Sequence, residues 1–421
     1  MFCLNDTTHP PSKSRKLKKN ANREQKGSDP FCSRFDIGAF FVINRPMPDA
    51  GLYIHIPFCL SKCGYCDFNS VVYDRPTAGR YLAALAGEMA LLPRSFRPQT
   101  VFVGGGTPTS LSEEELTRLF DALRKSVNLS QVSEFSVEAN PATVNAKKLG
   151  VLRGAGVNRM SLGAQSFSDA LLGTLGRIHS SKDIHDTVAV VRDSGIGNIS
   201  LDMIFAIPGQ TVDMWREDMR ACCELEPEHI STYCLTWERG TPFAAQAERG
   251  EISPLGEDAE AEMYRAAMQY LPERGYRQYE VSNFARPGRE CRHNLLYWHN
   301  RTTYAAGAGA YSYVEGVRSA NASPVEEYIH LVEEKGSPVV LREKLAPEDR
   351  ARETAVLMLR TVDGIDKAAF ARDTGFAPDD FINDDLKRLT AEGFLRDEDG
   401  RLFLTDRGFP VADSILVHLL R

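Results

Sequence analysis

The sequence lacks an uninterrupted apolar run of the roughly 20 residues that a transmembrane helix needs. The run Ile37–Ile43 is too brief and has no strong cleavage signal after it, so it predicts neither a membrane span nor a signal peptide. An excess of basic residues is also missing, because 50 Lys and Arg stand against 57 Asp and Glu, a formal net charge of -7. This balance disfavours a nucleic-acid-binding surface spread over the whole molecule.

A disulfide framework is absent as well. The nine cysteines are an odd number, and outside one group of three they show no framework spacing. Disulfide scaffolds are small, secreted and dense in cysteine, whereas this chain has 421 residues and 43% hydrophobic content. We therefore expect a reducing compartment, with Cys222, Cys223 and Cys234 acting as buried small hydrophobic side chains.

Residues 1–46 form a basic leader, with nine Lys and Arg against four Asp and Glu. The stretch Lys13–Lys26 has few periodic apolar positions, which is typical of a disordered arm. Two interpretations stand: an organellar transit peptide, or an over-long start with translation beginning at Met47. The lack of a clear amphipathic face favours the second interpretation.

Regular alternation of β-rich and helical stretches begins near residue 51. The predicted strands are Leu52–Ile56, Thr100–Val103, Glu134–Val137, Arg159–Leu162, Asn198–Ile204 and His229–Leu235. The helices predicted between them include Ala78–Leu92, Ser112–Asn128, Ala142–Ala155, Ser181–Ser194 and Val212–Leu225. This order predicts a parallel sheet, and six units indicate an α/β fold with a partial (β/α)6 barrel over residues 47–285. Functional residues of such a barrel gather at the C-terminal ends of its strands.

The remaining chain predicts a connecting region, residues 286–346, and a separate C-terminal unit, residues 347–421. Within that unit residues 348–362 and 378–393 predict helices, and Phe394–Leu404 predicts a hairpin around an Asp-Gly turn. Helices followed by a small hairpin indicate a winged-helix-like α+β appendage. Winged helices often bind DNA, but the mixed charges here favour a structural or substrate-covering role.

The chemistry of the chain centres on Cys59-Leu-Ser-Lys-Cys63-Gly-Tyr-Cys66, directly after the first predicted strand. Cubane iron–sulfur clusters are held by Cys thiolates, usually four, and three thiolates without a fourth nearby leave one iron open for another ligand. One alternative is a zinc site completed by His55, which its place inside a strand disfavours. Three inert buried cysteines are the other, and their close spacing argues against it.

The Cys-x3-Cys-x2-Cys spacing, with an aromatic residue before the last cysteine, resembles the radical S-adenosylmethionine (SAM) superfamily. Further motifs, from about residue 50 to about residue 410, resemble its oxygen-independent coproporphyrinogen oxidase family. They are Tyr53-Ile-His-Ile-Pro-Phe-Cys59, Val103-Gly-Gly-Gly-Thr107-Pro-Thr109, Glu138-Ala-Asn-Pro141, Ser161-Leu-Gly-Ala-Gln165-Ser-Phe167, Arg177 and Asn198-Ile-Ser-Leu-Asp202. The resemblance implies a 4Fe–4S cluster on the three cysteines, with SAM on the open iron.

The resemblance also implies which residues contact SAM: Tyr53, Gly105, Gly106, Thr107, Glu138, Gln165, Arg177 and Asp202. Glycines let backbone N–H groups approach a ligand closely, and a guanidinium matches the SAM carboxylate. The two acids and the glutamine would bond the ribose and other polar groups of SAM. Each residue type also has a structural alternative: the glycines could form only a tight turn, and the acids and the arginine could be solvated surface residues.

One departure separates this chain from the oxidase-type enzymes, which carry a fourth cysteine two residues after the third. Here Asp67 and Phe68 follow Cys66, as in the HemW-type branch, whose members are regarded as heme chaperones. The segment His293-Asn-Leu-Leu-Tyr297-Trp298 matches the His-Asn-x-x-Tyr-Trp motif of that branch.

That motif implies heme as a further ligand. His293 is the candidate axial ligand, with Tyr297 and Trp298 as an aromatic wall for the porphyrin. The alternative is that these side chains are structural, and Cys291 and His299 are competing ligands.

The HemW-type resemblance implies a cytoplasmic chaperone, peripheral at the membrane, that binds heme and delivers it to a membrane hemoprotein, with a homodimer as its assembly. Whether the chain is an enzyme stays open. The alternatives are an oxygen-independent coproporphyrinogen III oxidase, which decarboxylates propionates, and a radical SAM enzyme for another substrate. Nucleic-acid binding through the appendage is the least favoured interpretation.

Overall fold

The structure, a computed structural model, describes residues 50–381 and 384–420, and the predicted leader, residues 1–46, lies outside them. The strands are β1 (Gly51–Ile56), β2 (Phe58–Cys59), β3 (Val71–Val72), β4 (Thr100–Gly105), β5 (Glu134–Ala139), β6 (Arg159–Gln165), β7 (Ile199–Phe205), β8 (His229–Cys234), β9 (Arg277–Gln278), β10 (Asn283–Ala285), β11 (Thr303–Ala306), β12 (Tyr311–Val314), β13 (Val317–Asn321), β14 (Val339–Lys344), β15 (Ile365–Asp366), β16 (Leu395–Glu398) and β17 (Arg401–Leu404). The helices are α1 (Arg75–Met89), α2 (Glu113–Ser126), α3 (Ala146–Ala155), α4 (Asp169–Leu175), α5 (Ser181–Asp193), α6 (Val212–Glu224), α7 (Pro242–Glu248), α8 (Glu257–Glu273), α9 (Arg292–Trp298), α10 (Val325–Lys335), α11 (Pro347–Met358), α12 (Lys367–Thr374), α13 (Asp384–Ala391) and α14 (Ala412–Leu416).

The predicted parallel sheet is confirmed. β1, β4, β5, β6, β7 and β8 lie side by side in that order and run parallel, each separated from the next along the chain by at least one helix. The five predicted helices correspond to α1, α2, α3, α5 and α6. The α/β fold with a parallel core is therefore the one that the alternation predicts.

Residues 286–346 do more than connect two units, because they add strands to the core. β11 pairs parallel with β1, so that Thr303 lies opposite Gly51, and β12, β13 and β14 continue the sheet in antiparallel fashion. The result is a 12-stranded sheet in the order β14-β13-β12-β11-β1-β4-β5-β6-β7-β8-β10-β9. Within the described residues its two end strands do not pair with each other, so no barrel closure is seen. The domain limits at 285 and 346 stay predictions.

The two faces of the parallel strands differ in chemistry, as the two-residue period of a strand allows. On β5 the ring of Phe135 packs edge-on against Phe120 of α2, with centroids 5.9 Å apart, and belongs to the apolar core under the helices. Ser136 and Glu138 alternate with it and point the other way. Cys222 is fully buried in the core, while Cys223 and Cys234 are partly buried against it.

Local signals set where the helices begin and end. Ser112 and Glu115 form a capping box at the start of α2, with Glu115 N donating to the Ser112 hydroxyl at 3.3 Å and Ser112 N donating to the Glu115 carboxylate at 2.8 Å. Gly195 follows α5 with a φ of +83°, the left-handed conformation in which many helices end.

The C-terminal unit combines α11, α12 and α13 with the three-stranded sheet β15-β17-β16. The predicted hairpin is confirmed as β16 and β17, which pair antiparallel. Among the described residues no helix is both long and apolar enough to cross a membrane.

Candidate functional site

The loops that follow β1 and β4 meet at the C-terminal edge of the parallel sheet. Gly106 N donates to the carbonyl of Ile56 at 2.9 Å, and Thr107 N donates to the carbonyl of Phe58 at 2.7 Å. The Thr107 hydroxyl also lies 3.7 Å from Cys59 Sγ. Two predicted SAM contacts therefore lie directly against the cysteine loop, residues 59–66.

Glycine is required where these loops touch. A Cβ atom on Gly106 would lie 2.8 Å from the Phe58 carbonyl oxygen and 3.0 Å from Cys59 Sγ. Gly105 has a φ of +117°, a backbone angle that residues with a side chain rarely adopt. A Cβ atom on Gly104 would lie 2.7 Å from a carboxylate oxygen of Glu138. This loop can bring backbone N–H groups close to a ligand because it carries no side chains.

The three predicted cluster ligands lie on one short loop. Cys59 and Cys66 are partly exposed and Cys63 is buried, and Cys66 N donates to the carbonyl of Cys63 at 3.3 Å. Burial raises the pKa of Cys59, and it raises the pKa of Cys66 to about 11. In the part of the chain that the structure describes, no three His, Cys, Asp or Glu side chains converge on a single metal ion. A cubane needs no such convergence, because each thiolate binds a different iron.

Arg177 joins the cysteine loop to the end of β6. Its Nη1 lies 3.4 Å from Cys63 Sγ, and its Nη2 donates to the carbonyl of Gly163 at 2.9 Å. The Nε–H is buried and has no hydrogen-bond partner in the described structure. A buried, unsatisfied guanidinium N–H beside the cysteines fits an anionic ligand group such as the SAM carboxylate.

Glu138 and Gln165 end neighbouring strands on the same edge. The Glu138 carboxylate accepts from Gly105 N at 2.9 Å, and burial raises its pKa to about 7. Gln165 is buried and has a φ of +68°, in the left-handed region that non-glycine residues rarely occupy. Backbone strain of this kind gathers at ligand sites, where the surrounding structure holds it in place.

Asp202 collects hydrogen bonds from hydroxyls on three strands. Ser161 donates to it at 2.8 Å, Ser231 at 2.6 Å and Ser200 at 3.2 Å. The carboxylate is therefore oriented by the protein itself. A ribose hydroxyl bound here would share Asp202 with these serines.

Tyr53 and His55 lie on the inner face of β1. The Tyr53 hydroxyl is 2.9 Å from His55 Nδ1, and His55 Nε2 is 2.8 Å from the carbonyl oxygen of Asn69. Burial lowers the pKa of His55 to about 4, so its ring is neutral. A carbonyl can only accept, so Nε2 carries the proton and Nδ1 accepts from Tyr53. With both ring nitrogens engaged, His55 has no free lone pair for zinc.

His293 lies at the opposite edge of the sheet from the cysteine loop. Its Nδ1 is 2.7 Å from the hydroxyl of Thr100, the first residue of β4, and its Nε2 is 3.2 Å from the hydroxyl of Tyr297. The ring stacks on Phe102 and is 1% exposed. The structure does not bring His293 together with the SAM residues, and its role as a heme ligand stays a prediction.

Of the two competing heme ligands, Cys291 is buried and His299 is partly exposed. Cys291 is fully buried, with Sγ 3.6 Å from a carboxylate oxygen of Glu134, and burial raises its pKa to about 12. Burial also lowers the pKa of His299.

Two features of the site were not predicted. Asn69, three residues after Cys66, contacts the Gly307-Ala-Gly309 loop that follows β11. A glycine-rich turn after a strand is a signal for such a loop, but it appears only once β11 is recognised as a strand. In addition, the large apolar side chains of Leu60, Phe68 and Val72 are 47%, 40% and 62% exposed around the cysteine loop.

Comparisons with known proteins show what the chain is similar to. Residues 53–222 match the radical SAM superfamily, and residues 345–411 match the HemN C-terminal domain. Among curated proteins the chain is similar to the heme chaperone HemW of Bacillus subtilis (strain 168), with 40% identity over 85% of this chain and 95% of that protein. It is also 33% identical to the mitochondrial radical S-adenosyl methionine domain-containing protein 1 of Danio rerio, over 88% of this chain and 87% of that one.

Among solved structures the chain resembles coproporphyrinogen III oxidase (HemN) from Escherichia coli, described as a radical SAM enzyme. The TM-score is 0.79, with 23% identity over 90% of this chain and 91% of that chain. At this identity the likeness concerns the fold.

Proposed function

Because this chain belongs to the HemW family of the radical SAM superfamily, we propose that it is a heme chaperone that binds heme and delivers it to a membrane hemoprotein. Its cofactors are a 4Fe–4S cluster on Cys59, Cys63 and Cys66, and SAM. It acts in the cytoplasm as a homodimer that is peripheral to the membrane. The observation that carries the proposal is the 40% identity to a heme chaperone over 85% of the chain.

The arrangement of donors supports the cofactors. Three cysteines share one loop at the C-terminal edge of the sheet, where radical SAM folds of this α/β type place their chemistry. When bound, the reduced cluster supplies an electron to the sulfonium of SAM. Arg177, whose Nη1 lies beside Cys63, would bind the SAM carboxylate through its buried and unsatisfied Nε–H.

The other predicted contacts act on the rest of SAM. Gly105, Gly106 and Thr107 bring the loop after β4 against the ligand, because no side chain intervenes at the glycines. Glu138 and Asp202, which accept from Gly105 N and from the Ser161 hydroxyl, would also accept hydrogen bonds from the amine and ribose of SAM. Gln165, held in its left-handed conformation, and Tyr53, held by His55, complete the polar contacts.

Heme binding requires an apolar surface and an iron ligand. The family motif nominates His293, whose two ring nitrogens are both within hydrogen-bonding distance of hydroxyls in this structure. Ligation of iron by His293 would require one of these bonds to break. The apolar side chains of Leu60 and Phe68 are exposed beside the cysteine loop. A porphyrin in contact with them would lie at the opposite edge of the sheet from His293, so these side chains and His293 cannot serve the same heme.

One set of anaerobic experiments tests the proposal. We expect the reconstituted protein to contain four irons and four sulfides per chain, by the stoichiometry of a 4Fe–4S cluster, and to bind heme without loss of propionate carboxyls. Cys66→Ser is the matched variant that should lose the cluster. If the reduced protein with SAM converts coproporphyrinogen III to protoporphyrinogen, the oxidase interpretation is correct and the chaperone proposal is wrong.

A further inference from the structure

Asn69 joins the end of the cysteine loop to a distant part of the sequence. Its Nδ2 donates to the carbonyl of Ala308 at 3.0 Å and to the carbonyl of Ser323 at 2.8 Å. The main-chain carbonyl of Asn69 accepts from His55 Nε2 at 2.8 Å. One residue therefore connects the segment after Cys66 with β1 and with the loops that follow β11 and β13.

The segment that receives Asn69 is itself held by buried groups. Gly307 N donates to the carboxylate of Glu88 at 2.8 Å, and Ala308 N donates to the hydroxyl of Tyr81 at 3.0 Å. That same hydroxyl donates to the carbonyl of His55 at 2.7 Å. Glu88 and Tyr81 are buried, so this anchor has little freedom to move.

Gly309 leaves the room that the Asn69 amide occupies. A Cβ atom on Gly309 would lie 2.7 Å from Asn69 Nδ2, and Gly309 has a φ of +69°. A side chain at position 309 would therefore displace the Asn69 amide from the carbonyls of Ala308 and Ser323.

We propose that Asn69 is a positioning residue for the iron–sulfur site. It fixes the backbone where the chain leaves the cysteine loop, so that the three thiolates are pre-organised. This inference rests on the proposed function, in which Cys59, Cys63 and Cys66 hold the cluster. Groups that orient metal ligands from outside the coordination sphere commonly change metal affinity 10–100-fold when they are removed. Asn69 meets this description because it fixes the loop backbone without offering a donor to the metal.

The test compares Asn69→Ala with Asn158→Ala. Asn158 also makes two bonds to backbone, accepting from Phe135 N at 2.9 Å and donating to the carbonyl of Ser133 at 3.0 Å, but it lies just before β6 at the other edge of the sheet. After anaerobic reconstitution, loss of the cluster to a chelator is followed by absorbance, with iron and sulfide quantified. We expect loss to be roughly 10–100-fold faster in Asn69→Ala and unchanged in Asn158→Ala.

Two further measurements separate positioning from general damage. The reduced cluster should give a broadened electron paramagnetic resonance signal in Asn69→Ala, while urea unfolding of the metal-free protein should match that of Asn158→Ala. Asn69→Asp, which keeps the size but removes both N–H donors, should behave like Asn69→Ala and serves if the alanine variant does not fold. Cluster retention equal to the parent's in both Asn69 variants would overturn the positioning role alone. A parent chain that binds no cluster would overturn the proposed function and this inference together.

Discussion

Replacement of His293 by alanine should destabilise the protein strongly, because this side chain connects α9 to β4 at the N-terminal edge of the sheet. The variant loses hydrogen bonds to Thr100 and Tyr297 and the stacking on Phe102, and it leaves a cavity at a site that is 1% exposed. Each lost hydrogen bond costs about 1 kcal/mol, and the cavity adds about 1–3 kcal/mol. We therefore expect the free energy of unfolding to fall by about 3–5 kcal/mol in His293→Ala.

The loss should also depend on pH. Burial lowers the pKa of His293 from 6.5 to about 3, so between these values the unfolded chain binds a proton that the folded chain does not. The contribution of His293 is therefore fully present above pH 6.5 and declines as the pH falls, by up to about 1.4 kcal/mol per pH unit. The difference between parent and variant should shrink accordingly, since the other buried groups are common to both.

Urea unfolding of the metal-free protein, followed by far-ultraviolet circular dichroism at several pH values, measures both effects. His330→Ala is the matched control, because this histidine is exposed on α10 and its removal should change stability by less than about 0.5 kcal/mol. Thr100→Val removes one bond only and should cost about 1–2 kcal/mol. A cost below about 1 kcal/mol for His293→Ala, or one independent of pH, would refute the reasoning. Heme titration of the same variant decides the ligand prediction separately, since an unchanged heme spectrum would exclude His293 as the iron ligand.

Three other substitutions test the site at the C-terminal edge of the sheet, where the cysteine loop lies. Cys66→Ser should abolish iron and sulfide incorporation while Cys291→Ser retains it, and equal cluster content in the two variants would contradict the assignment. Glu138→Gln should weaken SAM binding in calorimetry by roughly tenfold or more, the cost of a lost charged hydrogen bond. Burial raises the pKa of Glu138 from 4.5 to about 7, so the parent loses stability as the pH rises across that range. Glu138→Gln does not titrate, and its stability relative to the parent should therefore rise over the same range. A difference in the free energy of unfolding that stays constant with pH would argue against a buried acid. Gly106→Ala should weaken SAM binding because its Cβ would lie 2.8 Å from a backbone carbonyl, whereas Gly197→Ala, which meets nothing within 4 Å, should match the parent.

The parallel core could be predicted from sequence because its strands and helices alternate with strong periodicity. β11 could not, since Thr303–Ala306 is short and carries two alanines, and only pairing with β1 and β12 makes it a strand. Because β11 was not predicted, the position of His293 could not be predicted either. A segment that enters a parallel strand lies at the N-terminal edge of the sheet, so α9 must lie opposite the cysteine loop once β11 is known to be parallel.

The site could be predicted in part. Motif resemblance nominated Gly106, Thr107 and Arg177, and these three do lie against the cysteine loop. The serines around Asp202 carry no signal in the sequence, because only the register of three strands brings them together. The environments of His293 and Asn69 likewise depend on contacts between residues more than 190 positions apart, which no local pattern encodes.

The place of β11 beside β1 has a consequence for synthesis of the protein on the ribosome. The cysteines emerge early, but the strand that flanks β1 and the loop that receives Asn69 are translated some 240 residues later. At about 5–20 residues per second this interval lasts roughly 12–50 seconds. The nascent chain therefore carries its three thiols without their final backbone support for that time, and iron delivery should follow completion of the sheet.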